Sequence, residues 1–430
     1  MVVEGWLERA AATGRERTAL QTPTGSWSYG RLLDAARSGA GELARRGVLP
    51  GQRVAVALAP GLEFAQAMHA CLLLGAVCVP IDPRASASER ALIAAGTDAL
   101  VEQPLGEEPA PDSLPLSGGH HLDATAAVIH TSGTTARPRA IELSYGNFLW
   151  SALGSAVALG LDPRERWLCA MPVCHVGGLS ILLRSCIYAT TAVVHEQFDT
   201  DSVLAALRTE EITLVSLVAT TLARLLDAGL SDAPSLRWAL TGGGPVPAEL
   251  CERARAAGVP ITLTYGLTEA ASQVTTGGPP LFCTRLAIAP DGEILVQGPT
   301  VAAGAVATDG WLHTGDLGRL DDNAHLHVSG RKSDTIVSGG ENVAPAEVEA
   351  VLEAHPNVLE AAVLGRTDPR WGEAVTAIVV ARPDAAIEAD ALREHCALRL
   401  APHKVPKRIE ELAGPLPRTR SGKLLRRELA

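Results

Sequence analysis

At 430 residues the chain is too long for one ordinary core, so at least two domains are expected. Its 48 acidic against 37 basic residues leave a net charge of -11, which excludes a protein built to coat nucleic acid or an anionic membrane, though not a local basic pocket. Hydrophobic residues make up 47% with only 3% aromatics, the signature of an Ala- and Leu-rich globular chain. The strongest apolar run, Cys71 to Ile81, is too short to span a bilayer and stops at Asp82-Pro83, so it reads as buried core and no integral membrane segment is expected.

The first twelve residues carry Glu4, Glu8 and Arg9 and lack the basic start and apolar stretch of a signal peptide, so a cytoplasmic protein is expected. Eight cysteines are scattered without a Cys-x-x-Cys pair, which reads as reduced, packed thiols. A segment of helical period, Tyr29 to Arg46, is followed by strand-length apolar runs from Arg53 and from Ala76. Residues 102–119, rich in Pro, Gly, Glu and Ser, read as a surface connection. Further strands are expected at Ala126 to Ile129, Ala140 to Leu143, Thr191 to His195, Thr213 to Leu217 and Ile261 to Tyr265, with helices at Gly178 to Tyr188, Asp201 to Thr209 and Pro247 to Ala257. That alternation predicts an α/β fold with layered sheets and helices. Beyond Ser329 the pattern shifts to a compact α+β unit: a helix over Pro345 to Ala354, strands near Ala361 and Val375, then a helix from Glu388 to Arg399. The predicted division is 1–329 and 330–430, ending in a basic tail from Pro417 that contains Lys423.

Between two of the expected strands lies Ile129-His-Thr-Ser-Gly-Thr-Thr-Ala-Arg-Pro-Arg. Thr131, Ser132, Thr134 and Thr135 offer hydroxyl donors, Gly133 permits close backbone approach, and Arg137 and Arg139 supply positive charge, a composition suited to a polyphosphate or to a mere polar turn. It is not the Walker pattern of Gly-x-x-x-x-Gly-Lys followed by Ser or Thr. This loop resembles the phosphate loop of the acyl-CoA synthetase, luciferase and peptide-synthetase adenylation superfamily. Four further segments match that family in order: Gly242-Gly-Gly-Pro, Thr264-Tyr-Gly-Leu-Thr-Glu, Gly310-Trp-Leu-His-Thr-Gly-Asp through Gly330-Arg-Lys-Ser-Asp, and Pro417-Arg-Thr-Arg-Ser-Gly-Lys, with Ser338-Gly-Gly-Glu-Asn close behind the third. The resemblance covers residues 20 to 430.

It implies a large multi-layer N-terminal adenylation domain with a small mobile C-terminal α+β domain, and an ATP-dependent ligase that activates a carboxylic acid as an acyl-AMP and passes it to the thiol of coenzyme A. Gly243, Gly244 and Pro245 would then wall the adenine while Tyr265, followed by Gly266, stacks on its other face. Thr268 would meet the α-phosphate, and Glu269 would supply a hard oxygen to Mg2+. Asp316 would accept from the ribose hydroxyls, and Arg331 would contact ribose or phosphate. Lys423 would bridge the attacking carboxylate and the α-phosphate. A second orientation of the small domain, turning near Ser333, would replace Lys423 by the loop holding Gly339 and Gly340, which would line the pantetheine tunnel; Trp371 would either help hold coenzyme A or simply pack.

The stretch from Met171 to Tyr188 resembles the o-succinylbenzoate–CoA ligases of menaquinone biosynthesis more than it resembles fatty acyl-CoA synthetases. Such a dicarboxylate needs a polar berth for the carboxylate that does not react. His175, Ser180, Arg184, Thr220 and Arg224 are candidates, with His175 favoured by the motif and also readable as a gating or packing residue. Other aryl or fatty acids, and a carrier protein as thiol donor, remain alternatives at this level, although the chain stops seven residues after Lys423, so no fused carrier domain is expected. A homodimer is compatible with the sequence. Two departures from the family pattern stand out: Ala136, Arg137 and Arg139 where Gly-Lys-Pro-Lys is usual, and a compressed connection from Gln273 to Gly292.

Overall fold

In a computed structural model, residues 1–109, 116–131, 139–231, 233–418 and 424–429 are described. The expected Cys71 to Ile81 core is buried except at Gly75: the helix Leu62–Leu74 is buried from Phe64 onward, ends on a left-handed, half-buried Gly75, and feeds the strand Val77–Pro80. Where this helix must carry polar groups they are neutral or satisfied. The Gln66 amide donates to the Ala35 carbonyl at 3.1 Å, and burial pulls the pKa of His69 down to about 3, so the imidazole is uncharged.

Two sheets flank the layer to which this helix belongs. One has eight strands in the order Ser272–Thr276, Ile261–Leu267, Trp238–Thr241, Leu214–Leu217, Arg166–Cys169, Thr191–Val194, Thr18–Thr22 and Gly25–Ser28, parallel from Ile261–Leu267 to Thr18–Thr22 and antiparallel at both edges. The other has five, Ala99–Val101, Arg53–Val56, Val77–Pro80, Thr125–Thr131 and Arg139–Ser144. Parallel strands buried on both faces need continuous apolar runs, and the sequence supplies them. The largest core cluster joins Leu20, Val194 and Leu240 of the first sheet, Val54, Ile129 and Leu143 of the second, and the apolar faces of the helices Tyr29–Arg45, Leu62–Leu74, Tyr145–Leu159 and Val176–Tyr188. A second cluster lies under the helices Thr200–Thr209, Ala219–Asp227 and Ala248–Ala256. Of residues 102–119, the described ones, 102–109 and 116–119, are mostly exposed or half-buried as a surface connection would be, except that Leu105 inserts into the core and Gly119 opens a short strand paired with Val2–Glu4.

An antiparallel four-stranded sheet follows, Arg285–Ile288, Glu293–Gln297, Leu312–Leu320 and Leu326–Arg331. The compressed connection after Gln273 thus still holds two strands, Ser272–Thr276 and Arg285–Ile288. The turn Lys332–Asp334 then leads into a separate five-stranded sheet built from Ile336–Ser338, Glu341–Val343, Val358–Asp368, Gly372–Ala381 and Arg408–Glu411, covered by the helices Pro345–Glu353 and Ala389–Ala397 around their own apolar cluster. None of the described helices is long and apolar enough to cross a membrane.

Candidate active site

Three sheets contribute to one polar seam. Arg139 opens the last strand of the five-stranded sheet, and its Nη1 lies 3.8 Å from Oε1 of Glu269, which sits in the 3-10 turn Thr268–Ala270 after the strand Ile261–Leu267. From the same strand, the Tyr265 hydroxyl donates to Asp316 Oδ2 at 2.7 Å, and Arg331 Nε lies 2.7 Å from Oδ1 of that carboxylate. Asp316 and Arg331 face each other across the four-stranded sheet, where Thr314 Oγ1 also accepts from the Asp316 backbone N–H at 3.0 Å. Burial and the adjacent Asp316 carboxylate raise the pKa of Tyr265, which holds it as the donor in this pair. A carboxylate held by these two donors can accept from vicinal hydroxyls once its partners swing aside, and an arginine opposite a hard carboxylate is the local arrangement that a metal-bound polyphosphate would bridge.

The turn that carries Thr268 and Glu269 is braced from behind. Ala271 and Ser272 both adopt positive φ (50° and 94°), which costs non-glycine residues energy and persists only where neighbours enforce it. The enforcement is visible. Ser151, buried on the helix Tyr145–Leu159, donates to the Ala271 carbonyl at 2.6 Å, and the Glu269 carbonyl accepts from the Ala302 backbone N–H at 2.8 Å. Gly266 is required by the same packing, since a Cβ there would lie 1.7 Å from the Ser272 carbonyl oxygen. Ser151 in turn accepts from Arg184 Nη2 at 2.8 Å. Arg184 is 3% exposed, packs over the Trp167 ring, and has no carboxylate partner among the described residues. Ser144 and Asn147 cap the same helix reciprocally, and the Asn147 amide reaches the carbonyls of Pro299 and Val301.

The acyl-pocket candidates separate. Ser180 and Arg184, one helical turn apart on Val176–Tyr188, are both buried in the core instead of lining an open pocket. Arg224 lies exposed over the Phe198 ring, and Thr220 is half-buried near the start of the helix Ala219–Asp227. His175, at the N-terminal cap of Val176–Tyr188, keeps solvent access within a dense protein surround. That burial lowers its pKa, with Asp82 raising it and Arg84 adding to the fall, so the imidazole is neutral near pH 7 and can accept or donate.

Gly243, Gly244 and Pro245 form an exposed turn after the strand Trp238–Thr241, on the parallel neighbour of the strand bearing Tyr265. In the small domain Gly339 and Gly340 both have positive φ, and the Gly339 N–H donates to the Trp371 carbonyl at 2.8 Å; a Cβ on Gly339 would meet the Trp371 ring at 3.1 Å. Arg370 and Lys407 each lie over that ring, at 4.9 and 5.0 Å from its centroid. Ser132, Gly133, Thr134, Thr135 and Arg137 of the hydroxyl-rich loop, and Lys423, lie outside the described residues; Thr131 lies within them and donates to the Arg139 carbonyl at 3.4 Å. The described residues after Lys423 are tied to the turn Lys332–Asp334 and the helix Pro345–Glu353, with Arg426 bonded to both Asp334 and Glu349. Lys332 is held by Asp291 at 2.6 Å and Glu293 at 3.2 Å. The residues missed by reading the sequence are Ser151, Asn147 and Arg184 in its bracing role. Only Asn147 had a local signal, the Ser-x-x-Asn spacing of a helix cap. A cavity of about 660 Å³ near Arg53, His120 and Tyr145 includes none of the candidate site residues.

Comparison with known proteins gives a consistent set of relatives. Residues 7–101 and 95–305 match the AMP-binding enzyme family, and residues 347–423 match the AMP-binding enzyme C-terminal domain. The chain is similar to the 2-succinylbenzoate–CoA ligase of Bacillus licheniformis, 37% identical over 475 positions that cover 99% of this chain and 98% of that protein. It is also similar to the o-succinylbenzoate CoA synthetase of Bacillus subtilis in complex with the acyl-adenylate intermediate OSB-AMP (36% identical, covering 100% of this chain and 98% of that one, TM-score 0.92). The ATP and magnesium complex of the same synthetase is 35% identical, with full coverage of both chains and a TM-score of 0.91. A double mutant of it bound to a product analogue, OSB-NCoA, is 36% identical with 100% and 98% coverage, yet its TM-score is 0.75.

Proposed function

This chain belongs to the AMP-binding enzyme family, and we propose that it is a 2-succinylbenzoate–CoA ligase of menaquinone biosynthesis. It is an acid–thiol ligase. The acid's carboxylate oxygen attacks the α-phosphorus of ATP, the bond from that phosphorus to the bridging oxygen breaks, and pyrophosphate leaves behind an acyl-AMP. The sulfur of coenzyme A then attacks the acyl carbon, AMP departs with the electron pair of the broken carbon–oxygen bond, and the thiol proton passes to solvent.

The observation that carries the reading is the seam itself, where Arg139, Glu269, Tyr265, Asp316 and Arg331 converge from three sheets. We assign Asp316 to the ribose hydroxyls, with Arg331 beside it. Tyr265 packs against the adenine opposite the turn of Gly243, Gly244 and Pro245, with Gly266 leaving room beside it. Thr131, Ser132, Gly133, Thr134, Thr135, Arg137 and Arg139 receive the polyphosphate, and Thr268 the α-phosphate. Glu269 is a half-buried hard oxygen donor already facing a cation, which fits Mg2+; the metal supplies charge neutralisation on the phosphates when bound. Lys423 offsets the charge that builds on the attacking and phosphoryl oxygens. His175, neutral and solvent-accessible, takes the acid side of the site.

Coenzyme A is assigned to Gly339 and Gly340, the first lying against the Trp371 ring with its two cations and the second open. We take 1–329 as the adenylation domain and 330–430 as the part that turns about the Lys332–Asp334 segment. The fall in TM-score from 0.92 with the adenylate complex to 0.75 with the product-analogue complex, at equal identity, supports a second orientation of that part. Eight free cysteines fit the reducing cytoplasm, where both nucleotide substrates reside, and a second copy of the chain is the macromolecular partner in this reading. The test is incubation with ATP, magnesium, coenzyme A and o-succinylbenzoate, following AMP release and the acyl-CoA by mass. Turnover is expected with this acid. Its absence, with turnover on benzoates or fatty acids, would remove the substrate assignment.

A further inference from the structure

The helix Tyr145–Leu159 and the two residues after it contain no Asp, Glu, Lys or Arg, in a chain that is 20% charged. One face of it is buried and carries Ser151. The opposite face is open, and it is apolar from end to end: Trp150, Leu153, Val157 and Leu161 are 36, 40, 66 and 50% exposed. The spacing of three and four places Trp150, Leu153 and Val157 on one stripe of the helix, and Leu161 follows just beyond its end at Gly160. Phe282, 58% exposed, extends the stripe sideways, its ring centroid 6.3 Å from that of Trp150. The loop that carries it is clamped to the helix, since Cys283 Sγ donates to the Trp150 carbonyl at 3.6 Å and a Cβ on Gly154 would lie 2.9 Å from Leu281. A helix that faces solvent normally shows charged or polar side chains there, and a contiguous apolar patch of this size marks an interaction surface.

We infer that this stripe is a self-association surface, on which a second copy of the chain packs its own Tyr145–Leu159 helix in antiparallel register about a two-fold axis. The inference deepens the homodimer part of the proposed function and is independent of the reaction. Three observations favour a second copy over another occupant. Taking about 200 Å² for a large apolar side chain, the five residues leave roughly 500 Å² of apolar surface, so two facing copies bury about 1,000 Å², the lower bound for a specific, concentration-dependent dimer. The stripe is self-complementary, since the 3-4 spacing of Trp150, Leu153 and Val157 presents the same ridge to a two-fold mate. Finally, two chains of net charge -11 repel wherever their charged surfaces meet, and this face is where they can approach without opposing charges. Added salt therefore strengthens the contact by screening the remaining repulsion.

The experiment is sedimentation equilibrium of the full chain up to about 100 µM, where a contact of 1,000 Å² must show itself, on the wild type and on Val157→Glu and Phe282→Ser. The wild type is expected to dimerise reversibly and more tightly at 0.5 M than at 0.05 M NaCl. Each variant is expected to weaken dimerisation at least about 30-fold, as loss of a central anchor does, while both keep wild-type ligase activity, which shows that they fold. A monomeric wild type would overturn the homodimer reading. A dimer that persists unchanged in both variants would overturn this surface while leaving the homodimer intact. Flotation of the wild type, but not Val157→Glu, with phosphatidylcholine vesicles would overturn the choice of a second copy.

Discussion

Ser151→Ala is the perturbation that most directly tests how the turn bearing Thr268 and Glu269 is held. Two buried hydrogen bonds disappear with one oxygen: the bond from the Arg184 guanidinium at 2.8 Å and the bond to the Ala271 carbonyl at 2.6 Å. The first is charge-assisted and worth about 1.5–3 kcal/mol, and the second leaves a buried acceptor unsatisfied at about 1–3 kcal/mol. The variant should therefore lose about 3–5 kcal/mol from a total near 5–15 kcal/mol. Much of that loss belongs to the arginine. Arg184 Nε already has no partner, so removing Ser151 strands a buried guanidinium almost completely. In an Arg184→Met background the cost of Ser151→Ala should fall to about 1–2 kcal/mol, a coupling of at least about 1 kcal/mol in a double-mutant cycle read by urea denaturation of the large domain.

The same bond opposes the strain at Ala271 and Ser272, two and three residues beyond Glu269. Releasing it lets the turn relax, and a displacement of about 1 Å at a catalytic group can cost up to 100-fold. Pyrophosphate release by Ser151→Ala should slow about 10–100-fold, with a magnesium titration shifted to higher concentration as in Glu269→Gln. Thioester formation from preformed acyl-adenylate should stay near wild type. Additivity within about 0.5 kcal/mol in the cycle, or an unshifted magnesium curve beside a shifted Glu269→Gln control, would refute the bracing role.

Tyr265→Phe keeps the ring but loses the 2.7 Å bond to Asp316, so the KM for ATP should rise about tenfold with kcat little changed, measured by initial-rate kinetics. Lys423→Ala should block adenylate formation yet leave thioester formation from supplied acyl-adenylate largely intact; equal loss of both half-reactions would contradict two orientations of the small domain. Glu353 sits on the inner side of the helix Pro345–Glu353, and burial raises its pKa to about 7, against a hydrogen bond from the Ala361 N–H that lowers it. The folded state thus holds a proton that the unfolded chain releases at its ordinary carboxylate pKa, so stability falls as pH rises from about 4.5 to 7. Glu353→Gln, which keeps the acceptor, should gain about 1–3 kcal/mol at pH 8 and nothing at pH 4 in denaturant titrations of the small domain.

The fold was legible because its signals are local. Strand-length apolar runs at Arg53, Val77, Leu214 and Ile261 alternate with helical periods, and that alternation alone specifies parallel sheets with helices between them. The seam was legible only through the order of its motifs. Arg139, Glu269 and Asp316 are separated by more than forty residues each and sit on three different sheets, so no periodicity could bring them together. The bracing was not legible at all. Ser180 and Arg184 read in the sequence as candidates for the polar berth, whereas both are buried, and the neighbouring helix Tyr145–Leu159 offers the hydroxyl of Ser151 at the point where Arg184 arrives. A serine in an Ala- and Leu-rich helix carries no mark of such a role; its meaning is set by what packs against it. The same helix shows why its outer face also passes unread. Its inner and outer faces are both apolar, so composition suggests complete burial, and only the three-dimensional arrangement separates the face that braces the turn bearing Glu269 from the face left open at Trp150, Leu153 and Val157. One helix thus carries both surfaces, with Ser151 bonded to the Ala271 carbonyl on one side and the open stripe on the other.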